Sequence, residues 1–294
     1  MTAASDRLLR RLEWRVIRRL DGRLQGAYRT VWHGAGVDFA DLREYVPEDD
    51  VRHIDWNVTA RLDEPYVRQY TEDRDLTAWL LLDRSASMRF RGQEGKDSVL
   101  TELAVCLARL LAHGGNRVGA ILYDNRFQQV IPPRTGRTHT LRLAHELAKP
   151  PAQSGPGPTT DLAAMLRLAA KTARRSSLVF VLSDFIGDPG WDRALAMLGH
   201  RHEVVVVRIV DPVELDLPDV GLVVVEDAET GEQILVDTGD PLLRERLAAE
   251  VRARESTLTD AMQRAGVTAH RLSTDQDLTK ALVDMARQSR RRRR

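Results

Sequence analysis

Short apolar runs that end abruptly at polar residues dominate the hydrophobic pattern of this chain. The run over 76–82 is almost unbroken and ends at Asp83, and the run over 178–183 ends at Asp184. Runs of this length without alternation are typical of strands buried on both faces of a parallel sheet. The segments 117–123 and 204–210 have the same character. The pattern therefore predicts an α/β fold with a mostly parallel central sheet.

Segments of helical periodicity and turn signals separate the predicted strands. Residues 97–113 carry a leucine and alanine stripe, with Asp97 as the expected N-cap and Gly114 as the stop. Residues 222–237 alternate on either side of a Thr-Gly turn and predict an inserted β-hairpin. Further helices are predicted over 138–148, 161–173, 191–198, 241–265 and 277–288, and further short strands over 127–131 and 267–272.

The first 75 residues differ in character from the rest. The pattern over residues 5–25 predicts an arginine-rich amphipathic helix, for which peripheral contact with a membrane or an acidic partner is one interpretation. Docking on its own domain is the preferred one, because the apolar face is weak. Residues 26–75 read as loops with short strands or turns. We predict an N-terminal block over 1–75, a main domain over 76–289 and a basic tail over 290–294.

His53 and Asp55 stand two residues apart within the N-terminal block. A histidine and a carboxylate at this spacing suit a catalytic or metal-binding pair. An internal hydrogen bond that holds an irregular segment is the commoner arrangement, and it is the preferred interpretation here.

Composition excludes several classes of function. The 44 lysines and arginines almost balance the 43 acidic residues, so net charge indicates no particular partner. Cys106 is the single cysteine and has apolar neighbours, which favours a small core residue and excludes an intramolecular disulfide. No apolar run approaches the roughly 18 residues of a membrane span, and no signal peptide is evident. The arginines at 290–294 lack stacking aromatics, so nucleic-acid binding is not predicted. We expect a soluble cytoplasmic protein.

Polar side chains follow the central strands where a functional site is expected. The candidate residues are Asp83, Ser85, Ser87, Thr160 and Asp184. Each has an ordinary explanation alone, as a turn residue, a helix N-cap or loop polarity. Together they are harder to dismiss, because the carboxyl ends of neighbouring parallel strands lie at one edge of a sheet.

Two carboxylates and three hydroxyls are hard oxygen ligands that suit a partly hydrated Mg²⁺ ion. A near-octahedral ion held by such a set keeps at least one position open to solvent. An acidic side chain of another protein could fill it, and the ion would then bridge two proteins.

The same residues resemble a known motif. The segments DRSAS at 83–87, TTD at 159–161 and VLSD at 181–184 are similar to the metal-ion-dependent adhesion site of von Willebrand factor A domains. The resemblance implies Mg²⁺ or Mn²⁺ on Asp83, Ser85, Ser87, Thr160 and Asp184. That family usually has glycine before the threonine, so the choice between Thr159 and Thr160 stays open.

A longer block upstream is more specific. GVDFADLREYVPEDDVRHIDWNVTAR at 36–61 resembles the domain-of-unknown-function-58 family, and the whole resemblance covers about residues 25–285. It implies a Rossmann-like von Willebrand A domain beside a MoxR-type AAA+ ATPase, as an adaptor in chaperone-like assembly of a client protein. No GxxxxGK[ST] pattern occurs, so nucleotide hydrolysis by that route is not expected of this chain.

Other functions fit the residues less well. A metal-dependent phosphohydrolase of the haloacid-dehalogenase type needs a second aspartate two residues after the first, and that position is Ser85. A serine hydrolase lacks the G-x-S-x-G turn, and His113, His139 and His145 have no evident partner. A structural domain with an empty site stays open as a third alternative. We therefore expect a metal-binding interaction module without catalysis.

Overall fold

The computed structural model describes the chain in nine stretches, separated by short gaps. They are residues 38–46, 51, 54–62, 64–71, 76–89, 95–124, 127–149, 160–227 and 230–292. The chain divides into two compact units, one formed by residues 32–76 and the other containing the rest of the described chain. The predictions for residues 5–25, His53 and Thr159 lie outside the described residues.

The smaller unit contains a two-stranded antiparallel sheet and a short helix. Strand β1 (Asp38–Glu44) pairs with β2 (Tyr66–Thr71), and helix α1 (Trp56–Leu62) precedes β2. The carboxylate of Asp55 accepts hydrogen bonds from the backbone N–H groups of Asn57 and Val58 at 3.0 and 3.3 Å. Asp55 therefore caps α1, which agrees with its structural interpretation.

The larger unit contains eight strands and seven helices among its described residues. The strands are β3 (Thr77–Asp83), β4 (Arg117–Asp124), β5 (Phe127–Arg134), β6 (Leu178–Ser183), β7 (Glu203–Val210), β8 (Leu222–Glu226), β9 (Gln233–Asp237) and β10 (Thr268–Ser273). The helices are α2 (Lys96–His113), α3 (Arg137–Leu147), α4 (Leu162–Thr172), α5 (Trp191–Arg201), α6 (Pro212–Leu215), α7 (Pro241–Arg264) and α8 (Leu278–Arg292).

Six of these strands form the central sheet, in the order β10-β7-β6-β3-β4-β5. All neighbours are parallel except β4 and β5, which are antiparallel. Strands β8 and β9 form the predicted hairpin as a separate antiparallel pair. The predicted α/β architecture with a mostly parallel sheet flanked by helices is confirmed.

The buried runs form the middle of this sheet. Five consecutive residues from Ala78 to Leu82 are buried, and the register sets Leu82 beside Leu182 of β6. Alternate strand residues pack with α4, α5 and α7 in one core cluster, while α2 contacts β3, β4 and β7. Apolar side chains on both sides of the strands thus find cover, which is why the runs lack alternation.

The topology creates a switch point between β3 and β6. From β3 the chain continues to β4 and β5 on one side, and β6, β7 and β10 lie on the other. In open α/β sheets the crevice at such a reversal, outside the carboxyl ends of the strands, is the usual ligand site.

Two details differ from the sequence-based expectations. Helix α2 begins at Lys96 with Gly95 as its N-cap, so the prediction of Asp97 as the cap is wrong. Asp97 instead pairs with Arg84, whose Nε lies 2.9 Å from its Oδ1. Helix α8 extends to Arg292, beyond the expected end near residue 288. Across the described part of the chain, no helix combines the length and apolar character needed to span a bilayer.

Candidate metal centre at the switch point

Asp83 ends β3 with its carboxylate fully buried at the carboxyl edge of the sheet. Its Oδ1 accepts a hydrogen bond from the backbone N–H of Ser85 at 3.0 Å, and its Oδ2 accepts one from the hydroxyl of Ser183 at 2.6 Å. Both of these donors are neutral. Each carboxylate oxygen has a second lone pair, so this arrangement leaves room for a cation.

The environment of Asp83 disfavours its negative charge. Burial, and after it the negative charge of Asp184, raises the pKa of Asp83 from 3.8 to about 7, while the hydrogen bonds from Ser183 and Ser85 lower it in part. Asp83 and Asp184 repel each other in a buried environment, and a divalent ion bound between such carboxylates would remove this repulsion.

Ser183 joins the two central strands at this edge. Its hydroxyl donates to Asp83 and accepts from the backbone N–H of Phe185 at 2.9 Å. Phe185 follows Asp184 with a φ of 59°, a conformation that is unusual for a bulky residue. Its ring packs edge-on against Trp191, with centroids 4.9 Å apart. A strained and well-anchored turn therefore directs the chain just after the second carboxylate.

Ser85 and Ser87 form a pair of buried hydroxyls next to Asp83. Their Oγ atoms lie 3.0 Å apart. The loop that carries them is fixed by Arg84, which is buried and donates from Nη1 to the carbonyl of Leu147 at 3.0 Å. Burial raises the pKa of Asp97, the partner of Arg84, against the opposing effect of that guanidinium. The loop after β3 is thus held in place by an ion pair and a backbone contact.

Asp184, the first residue after β6, is buried and has a different set of partners. Its Oδ1 accepts a hydrogen bond from the backbone N–H of Ile186 at 2.9 Å. Its Oδ2 lies 2.6 Å from the ammonium of Lys96, the first residue of α2. Asp184 therefore already has a positive charge beside it.

Lys96 is fully buried, and its ammonium contacts a second carboxylate. Its Nζ lies 2.5 Å from Oε1 of Glu214, on the short helix α6 that follows β7. The carboxylates of Asp83, Asp184 and Glu214 and the ammonium of Lys96 are therefore neighbours. When all four groups are ionised, their net charge is −2, which one divalent cation would neutralise.

Thr160 is buried at the start of α4, but it is not the N-cap of that helix. Asp161 has that role, because its side chain accepts from the backbone N–H of Ala164 at 2.7 Å. The carbonyl of Thr160 accepts a hydrogen bond from the N–H of Asp188 at 3.0 Å. A Cβ on Gly187 would come within 2.4 Å of that carbonyl, so glycine permits the close approach. Thr160 is thereby fixed to the loop that follows Asp184.

Tyr123 provides a second link between these segments. Burial raises the pKa of Tyr123, and the negative charges of Asp161 and Asp83 act in the same direction. Both carboxylates are thus within electrostatic reach of one ring, which associates the start of α4 with the end of β3.

The donor set fits a magnesium-type ion in its chemistry. Asp83, Ser85 and Ser87 leave the sheet in one loop, Asp184 repels Asp83, and Thr160 is tied to the loop after Asp184. Within the part of the chain that the structure describes, no group of three or more His, Cys, Asp or Glu side chains forms a metal-binding cluster. The candidate is instead a set of carboxylates and hydroxyls, which Mg²⁺ accepts.

Sequence reasoning missed three residues of this region: Ser183, Lys96 and Glu214. Ser183 stands beside Asp184 and could have been recognised as a polar residue at the end of a buried strand. Lys96 and Glu214 are 118 positions apart in sequence and meet only through the fold. Nothing in their local sequence indicates that contact.

Fold and site together define a Rossmann-like α/β domain with buried carboxylates and hydroxyls at the carboxyl ends of the strands that flank its switch point. The family described as "Protein of unknown function DUF58" matches residues 41–257. The chain belongs to this family.

Several known proteins are similar to this chain. The uncharacterized protein Rv1480 of Mycobacterium tuberculosis is 36% identical over 271 residues, which cover 92% of this chain and 84% of the relative. BatB from Bacteroides thetaiotaomicron has a TM-score of 0.44 and 14% identity over 74% of this chain and 99% of its own. The VWA domain of SpRpn10 has a TM-score of 0.38 and 11% identity over 73% of this chain and 95% of its own. These TM-scores are too low to assign the fold. The assignment therefore rests on the strand order and directions of the central sheet.

Proposed function

We propose that this chain is a non-enzymatic protein-interaction module that binds Mg²⁺ or Mn²⁺ and through the ion engages an acidic side chain of a partner. The ligands of the ion, directly or through water, are Asp83, Ser85, Ser87, Thr160 and Asp184. The bound ion would supply a Lewis acid that an acidic side chain could coordinate. The chain itself buries the carboxylates, orients them and fixes the loops that carry the hydroxyls.

The observation that carries this proposal is the state of Asp83. Above pH 7, where Asp83 is largely ionised, a buried carboxylate with neutral hydrogen-bond donors and a second carboxylate nearby is costly unless a cation neutralises it. The paired hydroxyls of Ser85 and Ser87 stand beside it and are the additional oxygen ligands that such a cation needs.

The arrangement offers little support for catalysis. The hydroxyls of Ser85 and Ser87 contact each other, and Ser85 stands where a haloacid-dehalogenase-type phosphohydrolase needs its acidic proton donor. His139, considered above for a hydrolase, contacts the carbonyl of Val118 at 2.7 Å and has a structural role. Binding is therefore the preferred function.

We propose a MoxR-type AAA+ ATPase and a client protein as the partners, with this chain as the adaptor between them. The resemblance of residues 36–61 to the DUF58 family supports this part of the proposal.

Affinity capture with the full chain as bait tests both parts. We expect a MoxR-type ATPase in the fraction captured with Mg²⁺ and its loss when EDTA replaces Mg²⁺. Asp83→Ala should abolish the capture, whereas Asp192→Ala, the same change at an exposed aspartate in the first turn of α5, should retain it. Capture that is equal in EDTA, or unchanged by Asp83→Ala, would contradict the proposal.

The Lys96–Asp184 ion pair favours a second candidate, a structural domain whose polar network only joins the strand ends. Titration with Mg²⁺ or Mn²⁺ distinguishes the two. A metal-binding module gains thermal stability as the metal concentration rises above its dissociation constant, and a structural domain gains none.

A further inference from the structure

The ammonium of Lys96 is unusual in three respects. Its side chain is fully buried, it stands in the first turn of α2, where the helix dipole disfavours a cation, and its two contacts are carboxylates from distant parts of the chain. Burying a lysine ammonium costs several kcal/mol unless its partners compensate. Asp184 and Glu214 supply this compensation.

The three members of this network differ in exposure. Lys96 and Asp184 have 0% and 1% of their side chains exposed, whereas Glu214 has 26% exposed. The ammonium therefore lies between an interior carboxylate, which belongs to the proposed metal site, and a carboxylate that reaches solvent. It can be shared between them in different proportions without leaving its place in the fold.

Glu214 also connects the network to a surface cleft. A cleft of about 840 Å³ has Ser87 and Glu214 among its lining residues, together with apolar side chains of β8, β9 and α7. One partner of the Lys96 ammonium and one proposed metal ligand therefore line the same cleft.

We propose that Lys96 is a built-in cation of this site, which competes with the divalent ion for Asp184 and is drawn away from it by Glu214. The inference rests on the proposed metal site and adds its regulation. The ammonium holds Asp184 in the absence of metal and lowers the net negative charge that the divalent ion meets. Glu214 offers the ammonium an alternative partner and so favours metal binding, although it is not a ligand itself.

Two variants should change the affinity for Mn²⁺ in opposite directions. Titration of the full chain with Mn²⁺, followed by calorimetry and electron paramagnetic resonance, measures both. Lys96→Met removes the competing charge and should raise the affinity for Mn²⁺ about tenfold or more. Glu214→Gln leaves the ammonium to Asp184 alone and should lower the affinity about threefold or more. Asp216→Asn is the matched control, since Asp216 is exposed, lies two residues away and lines the same cleft. It should change the affinity less than about twofold.

The outcomes separate this inference from the proposed function. If the natural chain binds Mn²⁺ and Lys96→Met binds equally or more weakly, the inference fails while the metal site stands. If only Lys96→Met binds Mn²⁺, the competition is supported and metal binding by the natural chain is refuted. If neither binds, both proposals fail. Should Lys96→Met not fold, Glu214→Gln decides: an affinity equal to or above that of Asp216→Asn overturns the inference.

Discussion

Strands β3 and β6 lie side by side and each leads directly into an aspartate, yet the two carboxylates have contrasting surroundings. Asp83 accepts hydrogen bonds from a backbone N–H and a hydroxyl, while Asp184 faces the ammonium of Lys96. One carboxylate is thus solvated by neutral dipoles and the other by a charge. Two carboxylates at the same edge of a parallel sheet therefore need not be equivalent sites, because charge balance is set by residues from other elements.

The largest expected effect is a difference in the free energy of unfolding between substitutions of the two aspartates. Among the described residues, Asp184→Asn leaves Glu214 as the one charged partner of the buried ammonium of Lys96, and it should lower the free energy of unfolding by about 2–3 kcal/mol. Asp83→Asn removes a poorly compensated charge and should cost less than about 1 kcal/mol, or stabilise the protein. Urea unfolding in EDTA at pH 8 measures both. Equal losses would show that the two environments do not differ in the way described.

The second effect is a dependence of metal-free stability on pH that originates at Asp83. Its pKa is about 7 in the folded protein and near 3.8 when unfolded, so the folded state binds the extra proton and stability increases as pH falls through 7. This contribution is complete below the unfolded value and is lost as pH rises through 7. Between pH 8 and pH 6 the gain should be on the order of 1 kcal/mol.

The change belongs to Asp83 only if it disappears with that carboxylate. Urea unfolding in EDTA at both pH values should show the gain in the natural chain and not in Asp83→Asn. A gain of the same size in both proteins would assign it to other groups.

The smallest effect concerns the neutral donor that supports Asp83. Ser183→Ala removes the hydroxyl that contacts Asp83 and Phe185, and it should destabilise the protein by about 1 kcal/mol at pH 8. Because that hydrogen bond lowers the pKa of Asp83, its loss should also move the midpoint of the stability transition above pH 7. Ser177→Ala is the control, since Ser177 is a buried serine just before the same strand that bonds to the carbonyl of Arg175. A midpoint that moves equally in both variants would contradict the role given to Ser183.

Local patterns predicted the strands and the edge of the sheet well. The unbroken apolar runs that end at Asp83 and Asp184 form neighbouring parallel strands, because burial on both faces selects such sequences. The alternation over 222–237 and its turn predicted the hairpin correctly, although most side chains of β8 and β9 are exposed. In the central sheet the apolar runs report burial, whereas in the hairpin the turn and the alternation were the usable signal.

Charge balance could not be predicted in the same way. Lys96 reads locally as an ordinary residue before a helix, and its contact with Glu214 depends on the packing of α2 and α6. Asp97 has a side chain typical of an N-cap, but it forms an ion pair with Arg84, and Gly95 is the N-cap of α2. Similarly, the N-cap of α4 is Asp161 and not Thr160. Such outcomes are decided by tertiary partners that a local pattern does not contain.

A divalent ion bound at the carboxyl ends of β3 and β6 should require Asp83. Calorimetric titration of the full chain with Mn²⁺ at pH 8, where Asp83 is largely ionised, measures this requirement. We predict one site in the natural chain and in Asp192→Asn, and a loss of affinity of about a hundredfold or more in Asp83→Asn. Absence of binding by the natural chain, or equal binding by Asp83→Asn, would contradict the account.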